Sequence, residues 1–295
     1  MDILTMEDNY LEDVISVDKI SFERNESRSL NNILALRQAD PDGCYIMKNR
    51  AEIIGYIFSK SLGKEGYIGP VGVLPIYRGN GYGRSLIENS IEYLKRKCST
   101  IGLEVLPTKT KNIDLYQKIG FQTAFPTLIY AISDCGIERE TMIEIFQLED
   151  LDSKSQDYIL KEINSWPERE FDGASYSKDI KLAQKYRGNI FIASTNGQTV
   201  GFLVHSKTVI PYSYGVVKKV NNDREIFRNL ISFAQKHIEN EEILIGVNSR
   251  YYKALEIITD LNYSTKNSIN RMMLSGFEGS YFTRSENISC RVWIG

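Results

Sequence analysis

The stretch YRGNGYGRSL, residues 77–86, sets three alternating glycines, Gly79, Gly81 and Gly83, among Arg78, Asn80, Tyr82, Arg84 and Ser85. A helical pattern follows directly, with Leu86, Ile87, Ile91, Leu94 and Cys98 keeping roughly 3.6-residue spacing. The chemistry such a loop offers is anion binding. The start of a helix leaves backbone N–H groups unpaired and carries partial positive charge. Glycines take positive φ and let a ligand approach the main chain, so together these features make a nest for phosphate. A tight strand-to-helix turn would use the same glycines for geometry alone, and glycine content does not separate the two readings. Two phosphate loops are excluded. A P-loop needs GxxxxGK[ST], and no Lys-Ser or Lys-Thr pair stands in the required place. A dinucleotide loop needs GxGxxG, and Arg84 occupies the position of its third glycine.

The elements that must position this loop can be read from periodicity. A short strand, Ile3 to Met6, opens the chain, and helical segments follow at Tyr10 to Ile20 and Ser29 to Arg37. Cys44 to Lys48 and Glu52 to Lys60 read as a hairpin turning at Asn49 to Ala51. Strands are predicted at Gly66 to Val73 and Ile101 to Leu106, on either side of the glycine loop and its helix. A short helix, Ile113 to Ile119, is stopped by Gly120, and strands at Phe121 to Ala124 and Leu128 to Ile132 complete the set. This is a mixed sheet with helices on its faces, an α/β or α+β domain.

The order then repeats. CYIMKNRAEIIGYIFSKS from Cys44 resembles IFIASTNGQTVGFLVHSK from Ile190, with Gly55-Tyr56 matching Gly201-Phe202. GLEVL at 102–106 resembles LIGVN at 244–248, and FQTAFPTLIYAIS from Phe121 lies over YSTKNSINRMMLS from Tyr263. Several matches in order, at a spacing of roughly 142 positions, indicate two copies of one fold. The join is expected near Asp134 to Thr141. That gives domains at 1–134 and 135–275 with a tail at 276–295.

Composition narrows the function classes. The 295 residues hold 42% hydrophobic and 25% charged side chains and a formal net charge of −2. That balance argues against a nucleic-acid binder. No apolar stretch is long enough for a membrane span and no signal-peptide pattern opens the chain, so no membrane partner and a cytoplasmic location are expected. Cys44, Cys98, Cys135 and Cys290 are scattered, and His205 and His237 are the only imidazoles. Buried thiols and no metal site are therefore expected.

The wider string around the loop is V-x-P-x-x-R-x-x-G-x-G, carried by Val73, Pro75, Arg78, Gly81 and Gly83. It resembles the acetyl-CoA signature of the GNAT superfamily of N-acetyltransferases, and the element order agrees with that superfamily over the whole first copy. The resemblance implies tandem GNAT-like domains, each a mixed, mostly antiparallel sheet flanked by helices. It implies acetyl-CoA as co-substrate and an amine of a small molecule or peptide as acceptor. The strand backbone at Val71, Gly72 and Val73 would pair with the pantetheine arm, as a peptide adds to a sheet edge. The N–H groups from Arg78 through Gly79, Asn80, Gly81, Tyr82 and Gly83 would cradle the pyrophosphate, with Arg84 and Ser85 close to it.

A second segment, LEVLPTKTKNIDLYQKIGF from Leu103, resembles the family's L-E-V…L-Y…G-F run and departs from it at Lys109 and Asn112. By that resemblance Tyr116 protonates the departing thiolate and Glu104 is the general base. The first copy contains no histidine to serve instead. In the second copy the loop region reads YGVVKKVNNDREIFRNLI, with Asp223 and Glu225 near the glycine positions, Gly246 in place of Glu104 and Ile258 in place of Tyr116. The resemblance to tandem GNAT enzymes therefore places the working half first and makes the second a degenerate copy. In the tail, ISCRVWI reads as a strand that covers a sheet edge or approaches the acceptor cleft. Two functions stand side by side: an N-acetyltransferase acting as a monomer or homodimer, and an inactive CoA-binding or partner-binding module.

Overall fold

The structure, a computed structural model, describes residues 1–134, 143–166, 173–206, 208, 210–238 and 242–293. All but one residue of the expected join, 134–141, lie outside the described residues. The chain divides into two compact units. The front unit contains Met1–Gln122, Met272–Gly279 and Trp293, and the rear unit contains Thr123–Arg271 and Ser280–Val292.

The front sheet runs β1 (Asp2–Thr5), β2 (Tyr45–Asn49), β3 (Glu52–Leu62), β4 (Glu65–Val73) and β5 (Thr100–Val105). Its first four strands pair antiparallel, and β4 pairs parallel with β5. Helices α1 (Leu11–Ser21) and α2 (Leu30–Ala39) supply one core, in which Leu11, Val14, Val17, Ile33 and Leu36 pack on Ile46, Tyr56 and Phe58. Helix α3 (Tyr82–Lys95) and helix α4 (Thr110–Ile119) supply the other, where Leu86, Ile87, Ile91, Leu94 and Tyr116 meet Ile57, Ile101 and Leu103. Local chemistry sets the helix ends. The Ser29 hydroxyl caps α2 by accepting from the Asn32 N–H at 3.2 Å. Gly120, at φ 114°, ends α4 in the left-handed conformation that favours glycine.

One side chain ties three front elements together. Buried Asp40, at the end of α2, accepts from the Ser61 N–H at 2.8 Å, the Ser61 hydroxyl at 2.7 Å and the Tyr93 hydroxyl of α3 at 2.5 Å. Hydrogen bonding is what allows a carboxylate to be buried there.

β6 (Phe121–Thr123) closes the front stretch of chain, and the rear unit repeats the plan with β7 (Thr127–Asp134) leading into β8 (Glu144–Gln147). Helices α5 (Ser153–Asn164) and α6 (Ser177–Lys185) follow, then β9 (Asn189–Thr195), β10 (Gln198–Ser206) and β11 (Ile210–Val217). Helix α7 (Asp223–His237), β12 (Ile243–Asn248), α8 (Tyr252–Thr259), β13 (Asn262–Leu274) and β14 (Ile288–Cys290) complete it. β11 and β12 are parallel, as β4 and β5 are.

The boundaries differ from the sequence expectation in one respect. β7, the last strand of the first repeat, pairs with β12 and β13 in the rear unit, where Tyr130 and Ile132 enter the core. Met272 and Leu274, at the end of β13, enter the α3-side core of the front unit. Of these matching strands, β7 thus lies in the rear unit, as do Asn262–Arg271 of β13, and only Met272–Leu274 of β13 lie in the front unit. A repeat pattern fixes which residues alternate along a strand but not which copy of the neighbour they pair with.

The tail forms a strand. β14 lies antiparallel on β11, pairing Gly215 with Cys290, Val216 with Ser289 and Val217 with Ile288. Gly246 leaves room for it, because a Cβ there would run into Val292. Gly246→Ala is therefore expected to destabilise the rear unit by about 1–3 kcal/mol through overpacking, read as a lower denaturation midpoint. Asp40→Ala, which strands the Tyr93 hydroxyl and the Ser61 N–H, is expected to cost the front unit about 2–5 kcal/mol in the same measurement.

Candidate functional site

The site begins where two strands part. The parallel ladder between β4 and β5 holds at Glu65–Thr100, Gly66–Ile101 and Tyr67–Gly102 and then stops. β4 stays with β3 up to the Gly55–Val73 pair, with a register shift opposite Ile57 to Ser59. The cis peptide Gly69–Pro70 lies in that irregular stretch. Beyond Tyr67 one edge of β4 therefore faces an opening.

Alternation decides which groups face it. The Leu74 N–H donates to the Ile54 carbonyl of β3 at 2.9 Å. In an antiparallel pair the residues two apart point the same way, so Gly72 also turns its peptide groups to β3. Val71 and Val73 point theirs into the opening. Gly72 was expected to present its backbone alongside them; it is glycine because a Cβ would come within 2.6 Å of the Tyr56 ring.

The Arg78 side chain has a role the sequence did not disclose. Its Nε donates to the Val73 carbonyl at 3.0 Å and its Nη2 to the Ser21 carbonyl at 2.6 Å. The guanidinium thus pins the loop to the end of β4 and the end of α1. Below it, the Asn80 amide donates to the Tyr77 carbonyl at 3.2 Å and the Arg78 carbonyl at 3.3 Å. The Tyr77 hydroxyl donates to Glu52 at 2.7 Å.

With the loop held this way, its amides stay open. Among the described residues no acceptor bonds the N–H groups from Gly79 to Arg84, whereas the Arg78 N–H returns to Pro75 and the Ser85 N–H to Gly81. Gly79 and Gly81 both sit at φ 82°, so backbone conformation alone requires them. Gly83 is different. Its φ is not positive, and a Cβ would meet only the Val73 Cγ2, at an ordinary 3.9 Å. Nothing inside the front unit demands a glycine there. The Arg84 side chain runs along α3 to Glu88 at 2.8 Å, and the Ser85 hydroxyl bonds the Gly81 carbonyl at 3.3 Å.

Tyr116 and Glu104 stand on opposite faces of the sheet. Tyr116, on α4, is 7% exposed in the α3-side core with Val71, Val73 and Tyr82, edge-on to Phe121 at 6.1 Å. Burial pushes its phenol up to about 12. No hydrogen-bond partner for its hydroxyl stands among the described residues. Leu103 shares that core, so Gly102 and Glu104, one residue to either side, face the other way. There the Glu104 Oε2 accepts the backbone N–H of Trp293 at 2.5 Å. The Trp293 ring lies 4.4 Å from that of Tyr67, and Gly102 makes room for the indole, which a Cβ would strike. Trp293 belongs to the front unit, and its part in the site was beyond a sequence reading that left the tail between two placements. Lys109, where the sequence departs from its expected pattern, is the N-cap of α4.

The rear unit closes each equivalent feature. Gly215 to Val217 match Val71 to Val73 by their pairing with β10 and β3, and β14 covers that edge. Asp223 and Glu225 stand in the first turn of α7, with buried Asp223 ion-paired to Lys253 at 2.5 Å. Ile258 is buried in the core where the front copy has Tyr116.

Other reactive groups are quiet. Burial raises Cys44 and Cys290 to about 12 and Cys98 to about 11, so these thiols stay protonated. Cys135 lies outside the described residues. Among the described residues no cluster of His, Cys, Asp and Glu could hold a metal ion, and no helix is long and apolar enough to cross a membrane.

In the front unit a splayed strand pair thus stands beside a glycine-opened helix start. Residues 10–121 match the acetyltransferase (GNAT) family. The front copy carries that match, and over nearly its whole length the chain shares the fold of solved acetyltransferase-like structures, a tandem GNAT protein among them. A search of curated proteins gave no match. Among solved structures, a Pyrococcus horikoshii protein classed provisionally as an acetyltransferase shares 17% identity at a TM-score of 0.72, over 99% of this chain and 94% of that one. A tandem GNAT protein of the clavulanic acid biosynthesis pathway shares 10% identity at 0.61, over 93% and 98%. A GCN5-related N-acetyltransferase from Sphaerobacter thermophilus shares 13% at 0.61, over 94% and 96%. At these identities the likeness is one of fold.

The environment of Tyr116 makes its own prediction. In ultraviolet titration, the difference between wild type and Tyr116→Phe should show a phenol ionising near 12 rather than at the ordinary value of about 10. Burial penalises the phenolate, so the contribution of the raised pKa is complete below the unfolded value of about 10 and is lost as pH rises through the folded one; from about pH 10 upward wild type should lose stability relative to Tyr116→Phe.

Proposed function

We propose that the front domain transfers an acetyl group from acetyl-CoA to an amine of a small molecule or peptide. The observation that carries this reading is Gly83, a glycine that neither φ nor internal packing requires, set among amides without acceptors at the start of α3. A pyrophosphate lying against the main chain supplies the missing reason. The pantetheine arm then adds to β4 through the Val71 and Val73 peptide groups, and the thioester lies in the opening between β4 and β5.

The reaction uses the two faces separately. The amine nitrogen, as free base, attacks the thioester carbonyl carbon; a C–N bond forms and the carbonyl oxygen gains negative charge. A β4 N–H facing the opening stabilises that oxyanion. Glu104, through a water, takes the proton the nitrogen sheds. As the C–S bond breaks, the Tyr116 phenol gives its proton to the sulfur and is reprotonated from solvent. Its high pKa suits the role, because the phenol is still protonated when the thiolate leaves. The products are the acetylamide and CoA thiol. The rear domain serves as a structural partner, its own edge filled by β14. The protein acts in the cytoplasm, as a monomer or homodimer.

Calorimetry with CoA tests the binding half of this reading. One CoA per chain is expected, with Gly83→Val weakening binding at least tenfold while leaving the melting temperature close to wild type. No heat, two sites, or unaltered binding by Gly83→Val would count against it. Tyr116→Phe, assayed by thiol release against a panel of amines, should lower kcat by roughly 10²–10⁴ with CoA affinity nearly intact. An unchanged kcat at saturation would remove Tyr116 from the mechanism. CoA binding without turnover across the panel would favour a regulatory, CoA-binding module.

A further inference from the structure

The geometry points to Trp293 as a positioning residue for Glu104, which makes the C-terminal segment a working part of the front domain's acceptor side. This rests on the reading of Glu104 as the base. Three contacts carry it. The Trp293 N–H donates to the Glu104 Oε2 at 2.5 Å, a charge-assisted bond to one chosen carboxylate oxygen. The indole packs against Tyr67, which is 1% exposed, with ring centres 4.4 Å apart and planes tilted by 47°. Gly102, the partner of Tyr67 in the last β4–β5 rung, is cleared of side chain where the indole lies.

The location gives these contacts their meaning. The pantetheine arm enters at the glycine loop beyond Val73 and runs back along β4 toward Val71, so its reacting end points at the Tyr67–Gly102 rung. Trp293 sits on that rung, on the face that carries Glu104 and opposite the α3 side. The indole therefore walls the vertex of the opening, and the main chain it anchors holds the carboxylate. A glutamate on an open strand face samples many rotamers, and fixing it removes that freedom before the amine arrives. Trp293 touches no reacting atom; it acts through Glu104 and through the shape of the wall.

The test separates the main-chain bond from the ring. Trp293→Pro removes the N–H donor, whereas Trp293→Phe keeps it with a smaller ring. With acetyl-CoA and the panel amine of highest turnover, Trp293→Pro should lower kcat at least tenfold with CoA affinity within twofold of wild type. Trp293→Phe should restore most of that loss. Glu104→Gln combined with Trp293→Pro should be no slower than Glu104→Gln alone, because both act through one group. Independent, multiplying losses, or a kcat unmoved by Trp293→Pro, would overturn the assignment.

A second readout needs neither an acceptor nor the proline variant. Trp166 and Trp293 are the two tryptophans of the chain. In a Trp166→Phe background the remaining emission reports on Trp293 alone. Glu104→Ala should shift it to longer wavelength and raise iodide quenching severalfold. An unchanged spectrum would sink the proposal even if CoA binds as expected, while CoA calorimetry on wild type tests the cofactor reading by itself.

Discussion

The divergence of two parallel strands governs the front domain. β4 and β5 share three rungs and then separate, because β4 remains committed to β3 through the Val73 pairing while β5 does not follow. A strand edge opened inside a sheet exposes peptide groups that need partners. In the front copy the Val71 and Val73 groups meet the opening, and the Val73 carbonyl is already bonded by Arg78. In the rear copy the same edge is answered from within by β14. One constraint therefore yields two outcomes, a cleft in one domain and an added strand in the other.

The glycine loop owes its form to side chains outside the glycines. Arg78 fastens it to β4 and α1, Tyr77 reaches Glu52, and Asn80 closes back on the turn. These bonds satisfy carbonyls and leave amides, which biases the loop toward an anion. Unpaired amides at a helix start gain most from a negative ligand, and their fixed orientation means little reorganisation when one arrives. The rear copy shows the reverse arrangement. Asp223 and Glu225 bring negative charge to the start of α7, and Lys253 answers the buried Asp223.

Tyr116 and Glu104, the proposed acid and base, stand on opposite faces of β5. Tyr116 lies among apolar side chains of the α3 side, where desolvation holds the phenol protonated. Glu104 lies across the strand, held by a main-chain donor beside two aromatic rings. Alternation along a strand achieves this separation with a single residue step. The glycines at 102 and 246 serve a related purpose, each clearing a strand face for a residue of the C-terminal segment, Trp293 in one domain and Val292 in the other.

The sequence alone determined the duplication, the order of elements and the loop. Those features are local: apolar periodicity along α3, turn residues between β2 and β3, glycines before a helix. They leave their mark on neighbouring positions, and the helix and strand limits read from them lie within a few residues of those observed. It also determined that the rear copy had lost its glycines and its carboxylate. Tertiary structure decided what depends on residues far apart in the chain. It decided that β7 joins the rear unit and that β13 ends in the front core. It gave the Arg78 guanidinium to two carbonyls, turned the Gly72 peptide groups to β3 and brought Trp293 onto Glu104. Such choices rest on the energy of contacts formed only once both partners are placed, and alternation within one strand carries no record of them.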